Sequence, residues 1–126
     1  MLMTKLEKKL NKIALSLYHV PKTEQKHFSF IVRKNKILSV GWNDTKTNPL
    51  SNKFDYWTDS THSELSAIKR YEYDLDILKD CVMYNIRLNK ARQLVLSKPC
   101  DGCQQLIKHF RVGYLIYSTH QGFLRL

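Results

Sequence analysis

The chain has 126 residues and a mass of 14.9 kDa, a length typical of one domain, and we expect residues 1–126 to form a single domain. Hydrophobic residues make up 43% of the chain, enough for a packed core, which excludes wholesale disorder. Lysine and arginine number 21 against 11 acidic residues, and the resulting net charge of +10 indicates either an anionic partner or a merely basic, solvated surface.

No membrane partner is predicted. No apolar stretch approaches the ~20 residues that span a bilayer. The N-terminal segment carries a lysine every few residues, where a signal peptide has an uninterrupted apolar core. The three cysteines, Cys81, Cys100 and Cys103, cannot form a closed set of disulfides, so we expect reduced thiols and a cytoplasmic protein.

The first elements in chain order are an amphipathic helix and a hairpin. Apolar residues spaced four, three and four apart predict a helix over roughly residues 2–19, with an apolar stripe that more often packs on a sheet than on a membrane surface. The β-rich runs 27–33 and 36–42 are separated by Lys34-Asn35, which predicts a hairpin because asparagine tolerates a positive φ.

A long polar stretch over residues 43–61 follows, and loops of this length are usually functional. It contains three aromatic residues, Phe54, Tyr56 and Trp57. A second helix is predicted over about residues 62–71, with Ser60 or Thr61 as its N-cap.

The second half of the chain alternates strands with a helix. Strands are predicted over 81–88, 94–96 and 112–118, and a helix over about 101–110, after which only a small final strand fits. Helices alternating with strands imply parallel pairing through right-handed crossovers. The predicted fold class is therefore α/β: a three-layer α/β/α sandwich with a mixed, mostly parallel sheet of four to five strands, short at its C-terminus.

Two helix starts carry residues that bind metals. Cys100 and Cys103 lie one helical turn apart at the start of the helix that follows Pro99, where the helix dipole favours the thiolate. Taken alone, this C-x-x-C is also compatible with a redox dithiol or a pair of small core residues. His62 at the start of the earlier helix supplies a third zinc ligand, and three protein ligands leave a position for water, as in catalytic zinc sites. Glu64 can then reach the bound water as a proton shuttle.

The pair of motifs H-x-E and P-C-x-x-C resembles the cytidine/deoxycytidylate deaminase superfamily, over roughly residues 27–118. Gly41-Trp42-Asn43 is similar to a motif of its deoxycytidylate and tRNA deaminase branch. The resemblance implies the cytidine deaminase-like fold, one Zn²⁺ per chain on His62, Cys100 and Cys103, and Glu64 as the catalytic proton carrier.

The same resemblance implies which residues contact the substrate. Asn43 is expected to contact the nucleotide, and Ser63 and Pro99 to line the base pocket. Histidine rather than cysteine as the first ligand indicates the nucleotide and polynucleotide branch. Cys81 is interpreted as a core residue; the alternative, a fourth zinc ligand, would make the site structural.

The sequence is compatible with three functions, which differ in the substrate or in whether there is turnover at all. We expect hydrolytic deamination of a cytosine-type base to uracil on a CMP- or dCMP-type nucleotide. The first alternative is a deaminase of single-stranded DNA or RNA, acting on cytosine or adenine, which the charge and the aromatic loop favour. The second is a zinc-stabilised nucleic-acid-binding module without turnover. Phe123, Leu124 and Leu126 follow the last strand and need cover, so a homo-oligomer is expected.

Overall fold

The structure is a computed structural model that describes residues 3–44, 62–71 and 75–126. The helices of this part of the chain are α1 (Lys5–Ser16), α2 (Ser63–Arg70) and α3 (Asp101–His109), with a 3-10 helix over Leu75–Asp80. The strands of the same part are β1 (Lys26–Arg33), β2 (Lys36–Trp42), β3 (Val82–Leu88), β4 (Leu94–Val95), β5 (Tyr114–Thr119) and β6 (Gly122–Arg125). Among these residues, each helix is too short or too polar to cross a bilayer.

The described strands form one sheet in the order β2-β1-β3-β5-β6, with β4 paired to β3. Helix α1 lies on one face, where Leu10 and Ala14 are buried against Phe28, Phe30 and Ile86. Helices α2 and α3 lie on the other face, over a second core that includes Leu65, Leu106 and Met83. The predicted three-layer sandwich is confirmed, and α1 packs on the sheet as its apolar stripe predicts.

The sheet is mixed, but the expectation that it is mostly parallel is wrong. Only β3 and β5 pair in parallel among the described strands, and the other pairings are antiparallel. Strands β2 and β3, which flank α2, run in the same direction, yet β1 lies between them and pairs antiparallel with both. The alternation of helices and strands therefore predicts that β2 and β3 run in the same direction. It does not predict which strands lie next to each other in the sheet. The described part of the sheet has six strands instead of the expected four to five, because the small final strand that the sequence allowed is formed as β6, in addition to the five predicted strands.

The boundaries of the elements agree with the predicted ranges to within a few residues. Helix α1 starts later than expected because Thr4 and Glu7 form a capping box, with Thr4 Oγ1 accepting from the Glu7 amide at 3.1 Å. The hairpin turn has positive φ at Lys34 and Asn35, as its sequence predicts. Ser60 and Thr61, the predicted caps of α2, and the aromatic residues of the long loop lie outside the described residues; His62 occupies the N-cap position.

Strand β2 holds α2 close to the sheet at Gly41. A Cβ atom added to this glycine would lie 2.1 Å from the backbone nitrogen of Ala67. Ser39 Oγ donates to the Ala67 carbonyl at 2.7 Å, and the Trp42 amide donates to Ser66 Oγ at 3.2 Å. The helix that begins with the predicted ligand His62 is therefore positioned by direct contact with the backbone of β2.

Candidate active site and metal centre

The starts of α2 and α3 meet at one point on the same face of the sheet. His62 is the N-cap residue of α2 and Cys100 the N-cap residue of α3, and neither side chain makes a capping hydrogen bond. Nδ1 of His62 lies 3.1 Å from Sγ of Cys103 and 3.7 Å from Sγ of Cys100. Two helix N-termini thus bring one nitrogen and two sulfurs together.

This donor set fits a zinc ion. The three ligand atoms lie within 4.8 Å of one another. Tetrahedral zinc with its usual bond lengths separates a nitrogen from a sulfur ligand by about 3.5–3.6 Å, a value that lies between the two distances found, 3.1 and 3.7 Å. A set of one imidazole and two thiolates suits zinc, and a fourth position stays available for water in such a three-ligand site.

The electrostatics of the cluster favour the protonation state that a metal needs at sulfur. Hydrogen bonds from Cys103 and then from His62 lower the pKa of the Cys100 thiol to about 4, although burial opposes the shift. The hydrogen bond with Cys100 raises the pKa of His62 above its usual value. The two helix N-termini act in the same direction as the lowered thiol pKa because their dipoles favour negative charge.

Cys81 does not belong to this cluster. It is 1% exposed in the core between Leu78 and Met83, and its thiol donates to the Ile77 carbonyl at 3.2 Å. Burial raises the pKa of the Cys81 thiol, the opposite of what a metal ligand requires. The interpretation of Cys81 as a core residue agrees with its position, and the alternative of a fourth zinc ligand is not supported.

A cavity of about 320 Å³ opens beside the three ligands, at the lower end of the size range of small-molecule sites. All of the predicted catalytic and substrate-binding residues line it, namely Glu64, Asn43, Ser63 and Pro99, together with His62 and Cys100. The sequence interpretation missed further lining residues, namely Thr23, Gln25, His27, Asp44 and Ser97. Lys98, next to the expected Pro99, lines the cavity as well. Four segments that are distant in the chain therefore build this pocket.

Glu64 is only 5% exposed, and both of its carboxylate oxygens accept hydrogen bonds. Ser63 Oγ donates to Oε1 at 3.1 Å, and Asn85 Nδ2 donates to Oε2 at 2.9 Å. Ser29 Oγ completes the arrangement, donating to Asn85 Oδ1 at 2.7 Å and lying 2.8 Å from Ser63 Oγ. Sequence patterns offered one sign of this network, because Asn85 is the polar residue in the otherwise apolar run over residues 82–86 of β3.

Asn43 lies in the wall of the cavity, but its amide is already engaged. Nδ2 donates to Thr23 Oγ1 and to the Gln25 carbonyl, both at 2.7 Å, and Oδ1 accepts from the His27 amide at 3.1 Å. These bonds tie the end of β2 to the segment before β1. The expected contact of Asn43 with a substrate stays a prediction.

His27 faces the cavity beside Arg87, its partner in the register of β1 and β3. Burial, followed by the positive charges of Arg87 and His62, lowers the pKa of His27 to about 4. His27 is therefore neutral at pH 7 and offers an uncharged imidazole to whatever occupies the cavity.

The basic residues of the N-terminal helix lie elsewhere. Lys5, Lys8, Lys9 and Lys12 line a separate groove with Asn35, at the turn of the hairpin. The cavity lies at the open end of the same hairpin, where His27 and Asn43 are located. Most of the helix charge therefore does not face the cavity, whose described lysine is Lys98.

Comparisons with known proteins agree with this arrangement. The model of the family described as "Cytidine and deoxycytidylate deaminase zinc-binding region" matches residues 3–119. No curated protein sequence matches the chain.

Several solved structures share the fold. The dCMP deaminase of cyanophage S-TIM5, solved in complex with dCMP and dUMP, is 17% identical with a TM-score of 0.59, over 93% of this chain and 83% of that one. The cytidine deaminase of Burkholderia pseudomallei is 14% identical with a TM-score of 0.61, over 98% of this chain and 92% of that one. A cytidine deaminase of Mycobacterium leprae is 16% identical with a TM-score of 0.55, over 94% and 91%. At these identities the likeness establishes the fold.

Proposed function

The chain belongs to the cytidine and deoxycytidylate deaminase zinc-binding family, and from this premise we propose that it is a zinc-dependent hydrolase that converts a cytosine-type base to uracil. The observation that carries the proposal is the position of Glu64 in the wall of the cavity beside His62, Cys100 and Cys103. A carboxylate next to a three-ligand metal site is the arrangement that hydrolytic deamination requires.

Each residue then has a defined task. His62, Cys100 and Cys103 hold the zinc ion, which when bound makes water available as a nucleophile at neutral pH. Glu64 would accept a proton from the attacking water and deliver it to the ring nitrogen of the base, as the water oxygen bonds to the neighbouring carbon. Glu64 would then pass the second proton of the water to the amino group, which leaves the same carbon as ammonia. Ser63 and Pro99 line the pocket in which the base is held, and Asn43 is assigned to the sugar-phosphate side of the substrate.

We propose a CMP- or dCMP-type nucleotide as the substrate. The cyanophage dCMP deaminase of the same fold binds dCMP and dUMP. The cavity has the size of a small-molecule site, and the lysine groove of α1 lies at the other end of the hairpin. Lys98 in the cavity wall is a cation that can neutralise a single phosphate.

The decisive experiment measures ammonia release and the absorbance change on dCMP, CMP and the free nucleosides, in parallel with uracil excision from single-stranded DNA. Turnover of dCMP or CMP, lost after chelation and regained with zinc, is the expected result. Activity on DNA alone, falling steeply with salt, would instead identify a polynucleotide deaminase. Zinc-loaded protein inactive on every cytosine substrate would favour an adenine substrate or a binding module.

A homo-oligomer is a separate part of the proposal. Leu124 and Leu126 are 55% and 47% exposed, whereas Phe123 packs edge-on against Tyr84 with ring centroids 6.4 Å apart. The two leucines support a contact with a second copy of the chain. Light scattering of the wild type and of a Leu124→Glu, Leu126→Glu variant tests it, and an unchanged monomer mass in both would refute it.

A further inference from the structure

Asn85 lies in the middle of β3, buried beneath the site. It is 3% exposed and faces Ser29 of β1 in the register of the sheet. The residue pairs along these two strands become more polar towards the cavity. Ile31 with Met83 lies in the core, Ser29 with Asn85 comes next, and His27 with Arg87 lies at the cavity. Asn85 therefore stands at the boundary between the core and the pocket.

The amide of Asn85 is oriented by its neighbours. Its carbonyl oxygen accepts from Ser29 Oγ at 2.7 Å, and its nitrogen donates to Glu64 Oε2 at 2.9 Å and to the Ser97 carbonyl at 3.4 Å. The opposite orientation would place an oxygen against the carboxylate of Glu64, where no hydrogen is available. The Glu64 carboxylate and the Ser97 carbonyl only accept, so they fix which end of the amide faces them, and Ser29 holds the other end by donating to Oδ1.

The contact from Asn85 differs from the other contact that Glu64 makes. Ser63, which donates to Oε1, precedes Glu64 on the same helix and moves with it. Asn85 belongs to the central strand, and it also holds the Ser97 carbonyl, in the segment that leads to Pro99 and Cys100. One amide therefore ties the carboxylate on α2 to the wall of the pocket that precedes α3.

We propose that Asn85, oriented by Ser29, is a positioning residue that holds the Glu64 carboxylate in register with the metal ligands and the substrate. The proposal rests on the proposed function, in which Glu64 carries the proton. A glutamate side chain has three rotatable bonds, and a carboxylate displaced by about 1 Å loses on the order of 100-fold in rate. Asn85 restricts this freedom through a hydrogen bond, without being a metal ligand or contacting the substrate itself.

Three zinc-loaded variants test the role. Asn85→Asp keeps the size of the side chain and the acceptor for Ser29, but replaces the amide donor with a second carboxyl, which repels the Glu64 carboxylate or shares its proton. Ser29→Ala removes the hydroxyl that donates to the amide, together with its contact with Ser63. Tyr18→Phe is the control, because it also removes one hydroxyl from a buried side chain: Tyr18 OH donates to the Asn89 carbonyl at 3.0 Å, on the face of the sheet that α1 covers.

We expect Asn85→Asp to lower kcat by roughly 100-fold and Ser29→Ala by roughly 10-fold, with KM and zinc content near those of the wild type. Tyr18→Phe lowers Tm and leaves kcat unchanged. If Asn85→Asp and Ser29→Ala keep the wild-type kcat, or if Tyr18→Phe loses as much as they do, the positioning role is wrong. Ser29→Ala decides the matter alone should Asn85→Asp fail to fold.

A spectroscopic readout separates this inference from the proposed function. The side-chain ¹H–¹⁵N resonances of Asn85, recorded on zinc-loaded protein, should shift in Glu64→Gln and stay in place in Tyr18→Phe. A wild type that deaminates no cytosine nucleotide refutes the proposed function, and the resonances then still report whether Asn85 holds Glu64. If the Asn85 resonances are the same in Glu64→Gln as in the wild type, the inference is overturned even if the enzyme is active.

Discussion

Nδ1 of His62 lies 3.1 Å from Sγ of Cys103, although 41 positions separate the two residues in the chain. The contact joins the first turns of two helices that lie on the same face of the sheet. Strands β2 and β4, which precede them in the chain, end at the same level of the sheet, since Phe28 pairs with both Trp42 and Ile86, and Val95 pairs with Arg87 next to Ile86. The ligand cluster is thus a consequence of topology, and substitutions can separate the roles of its members.

Glu64→Gln should abolish turnover while zinc stays bound. The amide keeps the size of the side chain but cannot accept the proton of water, and losing a general base costs about 10²–10⁴-fold in kcat. The measurement is kcat on dCMP together with zinc content. Glu7→Gln is the control, since a glutamine preserves the capping box of α1 far from the cavity. Substantial residual activity of Glu64→Gln would contradict the role assigned to Glu64.

Cys103→Ser and Cys81→Ser should differ in metal binding, although both cysteines are buried on the same side of the sheet. Cys103→Ser should weaken zinc binding by at least about 100-fold, since loss of even an outer hydrogen bond to a ligand costs about 10- to 100-fold. Cys81→Ser should keep stoichiometric zinc and a stability within about 1 kcal/mol of the wild type. Zinc titration with a competing chelator measures both. Loss of zinc from Cys81→Ser would restore the interpretation of Cys81 as a ligand.

Gly41→Ala should destabilise the protein and weaken the metal site together. The new methyl group would overlap the backbone of Ala67, which cannot move without moving α2, and such overpacking costs at least about 1–3 kcal/mol. Gly113→Ala is the comparison, because its methyl group would meet the Cys81 and Lys79 carbonyls instead. We expect both to lower the urea midpoint, but only Gly41→Ala to reduce zinc affinity of the folded protein. Equal zinc affinities would show that β2 does not position α2.

His27 should make the protein less stable as the solution is acidified. Its pKa is lowered from 6.5 to about 4 by burial, so between these pH values the unfolded chain binds a proton that the folded chain does not. Above pH 6.5 His27 is neutral in both states and costs no stability. As the pH drops from 6.5 towards 4, proton binding to the unfolded chain lowers the free energy of unfolding. Urea denaturation of the wild type and of His27→Gln across this range measures the difference. Parallel curves for the two proteins would show that His27 titrates normally.

Local patterns identified the elements of this fold well. The apolar stripe of α1, the Lys34-Asn35 turn and the helix after Pro99 were all predicted from short-range signals, because residue spacing and φ preferences act within a few positions. The pairing of strands was predicted poorly. Insertion of β1 between β2 and β3 depends on contacts between distant segments, which no local pattern records.

The candidate site divides in the same way. His62, Glu64, Cys100 and Cys103 were predicted because a metal ligand or an acid must be a particular residue type at a helix start. His27 and Ser29 were missed, since a histidine or serine in a strand becomes informative only when its neighbour across the sheet is known.

The sequence alone determined the chemistry that this protein offers: one imidazole, two thiols and a carboxylate at two helix starts, on a chain with a charge of +10. Only the tertiary structure decided where the charge lies and what holds the acid. The lysines of α1 face a groove away from the cavity, and Asn85 reaches Glu64 across 21 positions of chain. The identity of a functional group is a local property, whereas its orientation and its electrostatic surroundings are set by packing between segments that are distant in the chain.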